Sequence, residues 1–522
     1  MKKIVLIIAI LTAYSVVIAQ NDDDALRFSM DKFSGTARSI SLSGAMGALG
    51  GDFSSIAINP AGMAVYRSSE FTFTPGLNYN KTTSEYYGMS SSVDKFSLPL
   101  LQIGYVGTYM PMREVTSGVV SSHFSIGYNR TNTFTKSYYL EGNEVYHSLL
   151  DRFTYDANNY PWSNFYCGLA NNVGLIYDFL DNPDVFYNVL EYEGPDGIGF
   201  GPQKGVRQRR AINERGNAGE FHFGGGVNIS NKVMLGATLG INSLNYRHSL
   251  QHREDVIGRN YKEEYFKWNN NFVGLDNFTF EETLYTTGIG INLKIGAIYK
   301  PFNSLRIGAS LQTPVFYSIN EELETQSEVN YFKINNNKPE NTVREPRYKE
   351  FGTISYNFRT PLKATGSLAY IFGSIGLISV DYEYIDYSTM LFVPKETGID
   401  DKDYFNQINS AISKTFRNPH NIRVGAEVRP TELLTLRGGF GYYQSPYLEK
   451  FPNSDNRHLT FSGGFGYKFN NMFVDVAYMI RQQQNLYSPY NLDDVPYIVE
   501  KPQSADISSN NHLIAVTLGW RF

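Results

Sequence analysis

From Leu513 to Phe522 the chain alternates without a break. Ile514, Val516, Leu518, Trp520 and Phe522 share one face, and Leu513, Ala515, Thr517, Gly519 and Arg521 share the other. A period of two is the mark of a strand whose faces meet different surroundings. The pattern recurs upstream. Phe71, Phe73, Leu77 and Tyr79 alternate with Thr72, Thr74, Asn78 and Asn80. Ile289, Ile291, Leu293 and Ile295 alternate with Gly290, Asn292, Lys294 and Gly296. Ile422, Val424, Ala426 and Val428 alternate with Arg423, Gly425, Glu427 and Arg429. Strands are predicted at 69–82, 95–109, 118–135, 217–229, 232–247, 283–299, 304–318, 349–371, 375–388, 418–429, 433–444, 457–469, 472–484 and 509–522.

Strand length and connector length then decide between architectures. A soluble sandwich uses strands of about five or six residues. Alternating runs of about ten or more residues, with aromatics at their ends, match tilted membrane-spanning strands. The connectors alternate short and long. Tight turns fall at 230–231, 301–304, 373–374, 429–432 and 470–471, and long polar segments near 136–216, 248–282, 319–348, 389–417 and 485–508. This is the asymmetry of an outer-membrane barrel with short periplasmic turns and long external loops. The fold class is therefore all-β: a 14-stranded antiparallel transmembrane β-barrel.

Composition supports this. The chain holds 39 Tyr, 35 Phe and 46 Gly, carries a net charge of −5, and has one Cys, so no intramolecular disulfide framework exists. No basic stripe points to nucleic acid. Lys2, Lys3 and the apolar run Ile4 to Ile18, ending at Val17-Ile18-Ala19, read as a signal peptide over 1–19. No apolar run after it is long enough to cross a bilayer as a helix. The terminal Phe522 is the ending that barrel-assembly machinery recognises, and a monomer in the outer membrane is expected, in contact with its lipid and lipopolysaccharide.

One segment breaks the strand pattern. "SGAMGALGGDFSSIAINPAGM", Ser43 to Met63, is small-residue-rich and compact. Fourteen strands enclose more lumen than their own side chains fill, and residues 20–67 are free to stopper it. Pro60 fixes a backbone angle and Asn59 can bond neighbouring amides.

The stretch "ARSISLSGAMGALGGDFSSIAINPAGM", with Asn59, Pro60, Ala61 and Gly62 just before the first strand, resembles the N-terminal hatch of the FadL/TodX family of outer-membrane channels for long-chain fatty acids and other hydrophobic compounds. "TPLKATGSLAYIFGSIGLISVDYEYIDYS" also resembles the family's late-strand hairpin. The resemblance implies a hatch (20–67) inside a barrel (68–522), passive uptake of hydrophobic small molecules, and exit sideways at a kinked third strand. His123 and Gly127 lie on the matching strand, where Gly127 can weaken or bulge the ladder. The family's capture groove is built by the third and fourth external loops, whereas the largest insertion here is the second, 136–216.

That insertion carries Phe153, Trp162, Phe165 and Phe179 among other aromatics, suited either to surface capture or to a small core of its own. A carboxylate ligand needs a partly dry cation. Lumen-facing candidates are Lys294, Arg306, Arg423, Arg437, Arg481 and Arg521, against Asp381, Glu383, Glu427 and Asp475 on the same side. No cofactor or metal ligand set is predicted and no catalytic motif such as G-x-S-x-G occurs. The alternative is a surface receptor for haem or another hydrophobic ligand; for haem, His248 and His252, one helical turn apart if helical, would contribute.

Overall fold

Fourteen strands run antiparallel in chain order: β1 (Glu70–Tyr86), β2 (Met89–Ser97 and Leu100–Tyr109), β3 (Val119–Phe134 and Ser137–Val145), β4 (Val206–Ile229), β5 (Val233–Val256), β6 (Asn271–Tyr299), β7 (Leu305–Gln312 and Phe316–Asn335), β8 (Tyr348–Arg359 and Lys363–Ile371), β9 (Gly376–Ile385 and Leu391–Pro394), β10 (His420–Val428), β11 (Leu434–Tyr443), β12 (His458–Phe469), β13 (Met472–Tyr487) and β14 (Ala505–Arg521). β1 pairs with β14 from Glu70↔Arg521 to Glu85↔Asp506, which closes the sheet on itself. The computed structural model describes residues 22–522 apart from 113–116, 180–181, 195–196, 201–203, 259–265, 269–270, 336–337, 345–346, 396–398, 493–494, 496–497 and 499–500. The leader assigned to residues 1–19 lies outside the described residues.

The two faces of the wall are sorted as the alternation requires. Ile289, Ile291 and Ile295 are 67, 55 and 50% exposed on the outside, while Asn292 and Lys294 between them are 3 and 5% exposed. Apolar side chains so far from any protein core are stable only against hydrocarbon. Among the described residues no helix is long and apolar enough to cross a membrane. The tight turns are where the sequence places them. Ser230 and Asn231 both have positive φ, 53° and 55°, the twist that joins adjacent antiparallel strands through two residues.

Two expectations are corrected. The segments 248–282 and 319–348 are largely strand: β5 runs to Val256, β6 begins at Asn271 and β7 reaches Asn335. Their polarity reflects cross-strand pairs in water, such as Gln251 Nε2 donating to Glu281 Oε1 at 2.7 Å, and not a loop. The second external loop is 146–205 rather than 136–216, because Ser137–Val145 and the start of β4 extend the wall. The long strand at 349–371 is interrupted at 360–362, the break that Pro361 in the sequence leads one to expect, since proline has no N–H to give a ladder.

Candidate functional site

Three helices, α1 (Asp22–Ser29), α2 (Ala37–Ser41) and α3 (Phe53–Ile58), and the 3-10 turn Pro60–Val65 lie within the lumen. They form because their caps are local. Thr36 Oγ1 accepts from the Ser39 N–H at 3.3 Å and Asp52 Oδ1 from the Ser54 N–H at 2.9 Å. Thr36 Oγ1 in turn donates to Asp52 at 2.8 Å, tying the two caps together. The wall holds this body around its circumference. The Ala37 N–H donates to Thr517 Oγ1 (2.7 Å), the Gly47 N–H to Asp381 Oδ2 (3.0 Å) and Arg38 Nε to Glu427 Oε2 (3.2 Å). Ser43 and Ser462 share a hydroxyl hydrogen bond of 2.7 Å.

Asn59 is the centre of the Asn-Pro-Ala-Gly motif. Its Oδ1 accepts from the Ala61 N–H at 3.1 Å, and its Nδ2 donates to Gly47 O at 2.7 Å and to Ala297 O of β6 at 3.1 Å. The motif thereby locks the hatch to itself and to the wall. Gly296 makes room for it, since a Cβ there would lie 1.9 Å from Asn59 Oδ1. Pro60 opens the 3-10 turn, Ala61 is buried, and the Gly62 carbonyl accepts from the Gly51 N–H at 3.0 Å.

The closed wall is not paired along its full height. β2 and β3 pair only from Gln102↔Asn129 to Tyr109↔Ser122. Beyond that point Leu98-Pro99 interrupts β2, β3 bulges at Thr131 against β4, and no ladder joins Met89–Ser97 to β3. The outer part of β3 instead runs beneath the β1–β2 hairpin. The lumen-facing Asn80 donates through Nδ2 to Thr135 O at 3.0 Å, and Ser84 Oγ donates to Tyr139 O. Buried backbone groups need partners, and the hatch supplies them. Asn132 Nδ2 donates to Met30 O (3.0 Å), the Lys32 N–H to Thr131 O (2.9 Å) and Ser34 Oγ to Arg130 O (3.0 Å). Arg130 Nε crosses the seam to Leu100 O at 2.8 Å. Higher up, Lys95 Nζ reaches from β2 to Glu214 O (2.6 Å) and Asn213 Oδ1 on β4.

Residues 30–34 also partition the lumen. One cavity is lined by Phe28, Glu220, Lys294, Tyr387 and Arg423; the other is lined by Pro99, Thr133 and Thr135 of the seam. Lys32 and Arg481 line both. Above the first cavity is an apolar chamber built from Tyr246, Tyr317, Tyr356 and Phe358 of the wall with Phe405 and Ile412 of an external helix, Ile399–Thr415. The chain's own Leu26 and Phe28 occupy it, Phe28 lying edge-on to Tyr246 and Phe358 with centroids at 6.1 and 6.3 Å.

The predicted cations separate by partner. Lys294 pairs with Glu220 at 2.7 Å, Arg423 with Glu383 at 3.2 Å, Arg437 with Glu427 and Asp475 at 3.0 and 2.6 Å, and Arg521 with Glu70 at 2.8 Å. Arg306 bonds the hatch carbonyl of Leu49. Arg481 has no carboxylate partner among the described residues, and its Nη2 touches only Phe33 O at 3.4 Å. Lys32 was not singled out in the sequence; the resemblance implied a sideways exit at the third strand but pointed to His123 and Gly127 rather than to the Leu98-Pro99 break and Thr131, for which Pro99 inside an otherwise regular strand was the available signal.

Other expected positions are elsewhere. His123 is buried below the seam, between Thr108 Oγ1 (3.2 Å) and Ser121 Oγ (2.8 Å). Gly127 neither bulges nor weakens β3: it pairs with Gly104 and with His222, and its missing side chain admits the Phe53 ring, whose Cζ would lie 2.4 Å from a Cβ. In the second loop Phe153 and Phe165 are 5 and 3% exposed and pack inward, so they offer no capture surface; Trp162, 41% exposed, leans on Phe186. Phe179 ends a short strand and its side chain lies outside the described residues. His248 and His252 lie on strand β5, where four residues span about 13 Å rather than one helical turn, and His252 is taken by Glu254 at 2.8 Å and by Arg210 Nε at 3.1 Å.

The second loop is anchored by α4 (Leu149–Asn159), whose capping box joins Ser148 and Asp151. Ser148 Oγ also donates to Glu254 Oε2 at 2.6 Å. Burial, with the nearby Glu254 charge adding to it, pushes the Asp151 carboxyl up to about 7, although the hydrogen bond from the Ser148 N–H opposes this.

No family model matches the sequence, and no curated protein matches it. Solved structures do. A FadL homologue from Pseudomonas aeruginosa is 12% identical, with a TM-score of 0.55 over 95% of this chain and 100% of that one. The toluene transporter TodX from P. putida is 12% identical (TM-score 0.48; 92 and 98% covered), and the toluene transporter TbuX from Ralstonia pickettii 14% identical (TM-score 0.45; 95 and 100% covered). At such identities the likeness is one of fold. With its closed fourteen-stranded wall, lipid-facing belt and lumen-filling N-terminal hatch, this chain is an outer-membrane barrel of FadL-like fold.

Proposed function

We propose that the protein is an outer-membrane channel for the passive uptake of hydrophobic compounds, long-chain fatty acids foremost. The observation that carries this reading is the seam: beyond Gln102↔Asn129 the wall is unpaired between β2 and β3, and hatch residues 30–34 both satisfy its free edge and divide the lumen beside it. A solute moving through the chamber that Leu26 and Phe28 now fill loses its contact with water, worth about 25 cal/mol per Å2 of apolar surface. Displacing residues 30–34 joins the two cavities and opens a sideways route between β2 and β3. Lys32 and Arg481, at the partition, provide the cations a carboxylate headgroup needs.

The haem reading is weaker, because His252 is already committed to Glu254 and Arg210. In this proposal the hatch comprises residues 20–67, the channel is a monomer without catalytic activity, and Phe522, 74% exposed at the strand end, is the residue the assembly machinery grips. Uptake of radiolabelled oleate and of toluene is measured in cells lacking other such channels, with and without this protein. Both are expected to rise with it, and Arg481→Gln is expected to reduce oleate uptake about tenfold, the loss of one charge-assisted contact, while sparing toluene. Equal oleate uptake with and without the protein refutes the fatty-acid reading.

A further inference from the structure

The outward side chains of β4 and β5 form a ladder whose rungs follow from the register. Phe221 faces Ile241, Gly219 faces Ser243, Asn217 faces Asn245, and Arg215 faces Arg247. The first rung is exposed and apolar, 51 and 40%, and belongs to the hydrocarbon belt. Six residues farther from the periplasmic turn, about 20 Å along a strand, stand two exposed guanidinium groups. With the usual barrel tilt of about 40°, that is about 15 Å along the membrane normal. The pair is therefore above the hydrocarbon, beside the anionic part of the outer leaflet.

Like charges directly opposite one another on a sheet repel, and the outward cations farther along this hairpin are neutralised. Arg207 pairs with Glu141, and Arg209 and Arg253 with Asp255. Arg215 and Arg247 make no ion pair or hydrogen bond among the described residues. Lys95 adds a third positive charge, held beside Arg215 by neutral acceptors only: Glu214 O, Asn213 Oδ1 and Ser137 Oγ. The outward carboxylate next in register, Glu322, is separated from Arg247 by Tyr285. A cluster of three cations above an apolar belt matches a molecule with phosphates above acyl chains.

We propose that Arg215, Arg247 and Lys95 form a binding site for the phosphate groups of the outer-leaflet glycolipid. The guanidinium pair takes a phosphate through parallel N–H donors, and its acyl chains lie against Phe221 and Ile241. The test uses the full-length protein in detergent micelles, with native mass spectrometry reading bound lipid. Diphosphorylated lipid A is expected to bind at least about tenfold more tightly than its dephosphorylated form. Arg215→Gln/Arg247→Gln is expected to abolish that preference, Arg215→Lys/Arg247→Lys to keep most of it, and millimolar inorganic phosphate to compete poorly because it has no acyl chains. Equal binding of the two lipids by the wild type overturns the site, whatever the folding of the variants. So does an unchanged preference in the double glutamine variant, and full competition by inorganic phosphate overturns the lipid assignment.

Discussion

Asn59 offers a direct measure of what keeps the lumen shut. The side chain is 2% exposed and makes three hydrogen bonds, at 3.1, 2.7 and 3.1 Å, one within its own turn, one to Gly47 and one to the wall at Ala297. Asn59→Ala removes all three and leaves two carbonyls facing the space the amide vacated. Two of the bonds lie within the hatch, so they count only because the displaced hatch loses its own turn; at about 1 kcal/mol net per bond, the seated hatch then loses about 3 kcal/mol relative to the displaced, unravelled one. The barrel itself is untouched, because its ladder does not pass through this residue. A difference of about 3 kcal/mol is about a hundredfold in the fraction of open channels. Ion conductance across a planar bilayer reads that fraction directly, and heat-modifiable migration on a gel confirms that the barrel is folded. Asn59→Asp is expected to open the channel further, since it keeps the bond to Ala61 but sets a charge against the carbonyls of Gly47 and Ala297. Folded Asn59→Ala protein whose conductance stays within about threefold of wild type would refute the reasoning.

Lys294→Met leaves Glu220, 3% exposed, without its cation; a destabilisation of about 3–5 kcal/mol is expected in denaturant titrations, with Lys294→Met/Glu220→Gln recovering most of it. The second loop is expected to loosen as pH rises. The folded-state value of Asp151, about 7, is above its ordinary 3.8, so its contribution is complete below about 3.8 and is lost as pH climbs through 7. Hydrogen exchange over residues 148–160 between pH 5 and 8 measures this, and Asp151→Asn is expected to flatten the profile.

The strands were legible because each face of the wall meets a uniform medium, lipid outside and hatch or water within, and a period of two records that contrast residue by residue. The motif Asn59 to Gly62 was legible for a related reason, since small residues and a proline have few uses beside a wide bore. The extensions of β5, β6 and β7 were misread because, above the membrane, both faces of a strand are polar and the contrast vanishes. Phe153 and Phe165 were ambiguous in sequence, since an aromatic-rich loop looks the same whether it turns its rings inward or outward. The seam depends on contacts between residues 30–34 and 130–132, which are far apart in sequence and show no shared periodicity. Lys32 and Arg481 could not be told from the paired cations, because pairing is decided by which strand stands next to which.

The anchoring of the hatch has a consequence for biogenesis. Its partners include Ala297, Asp381, Glu427, Ser462 and Thr517, on β6, β9, β10, β12 and β14. The hatch, which precedes every strand in the chain, thus completes its set of wall partners only after β14 has been delivered. Until then it must be kept soluble in the periplasm, and a polypeptide that stalls before Thr517 leaves an incomplete cylinder together with an unmoored stopper.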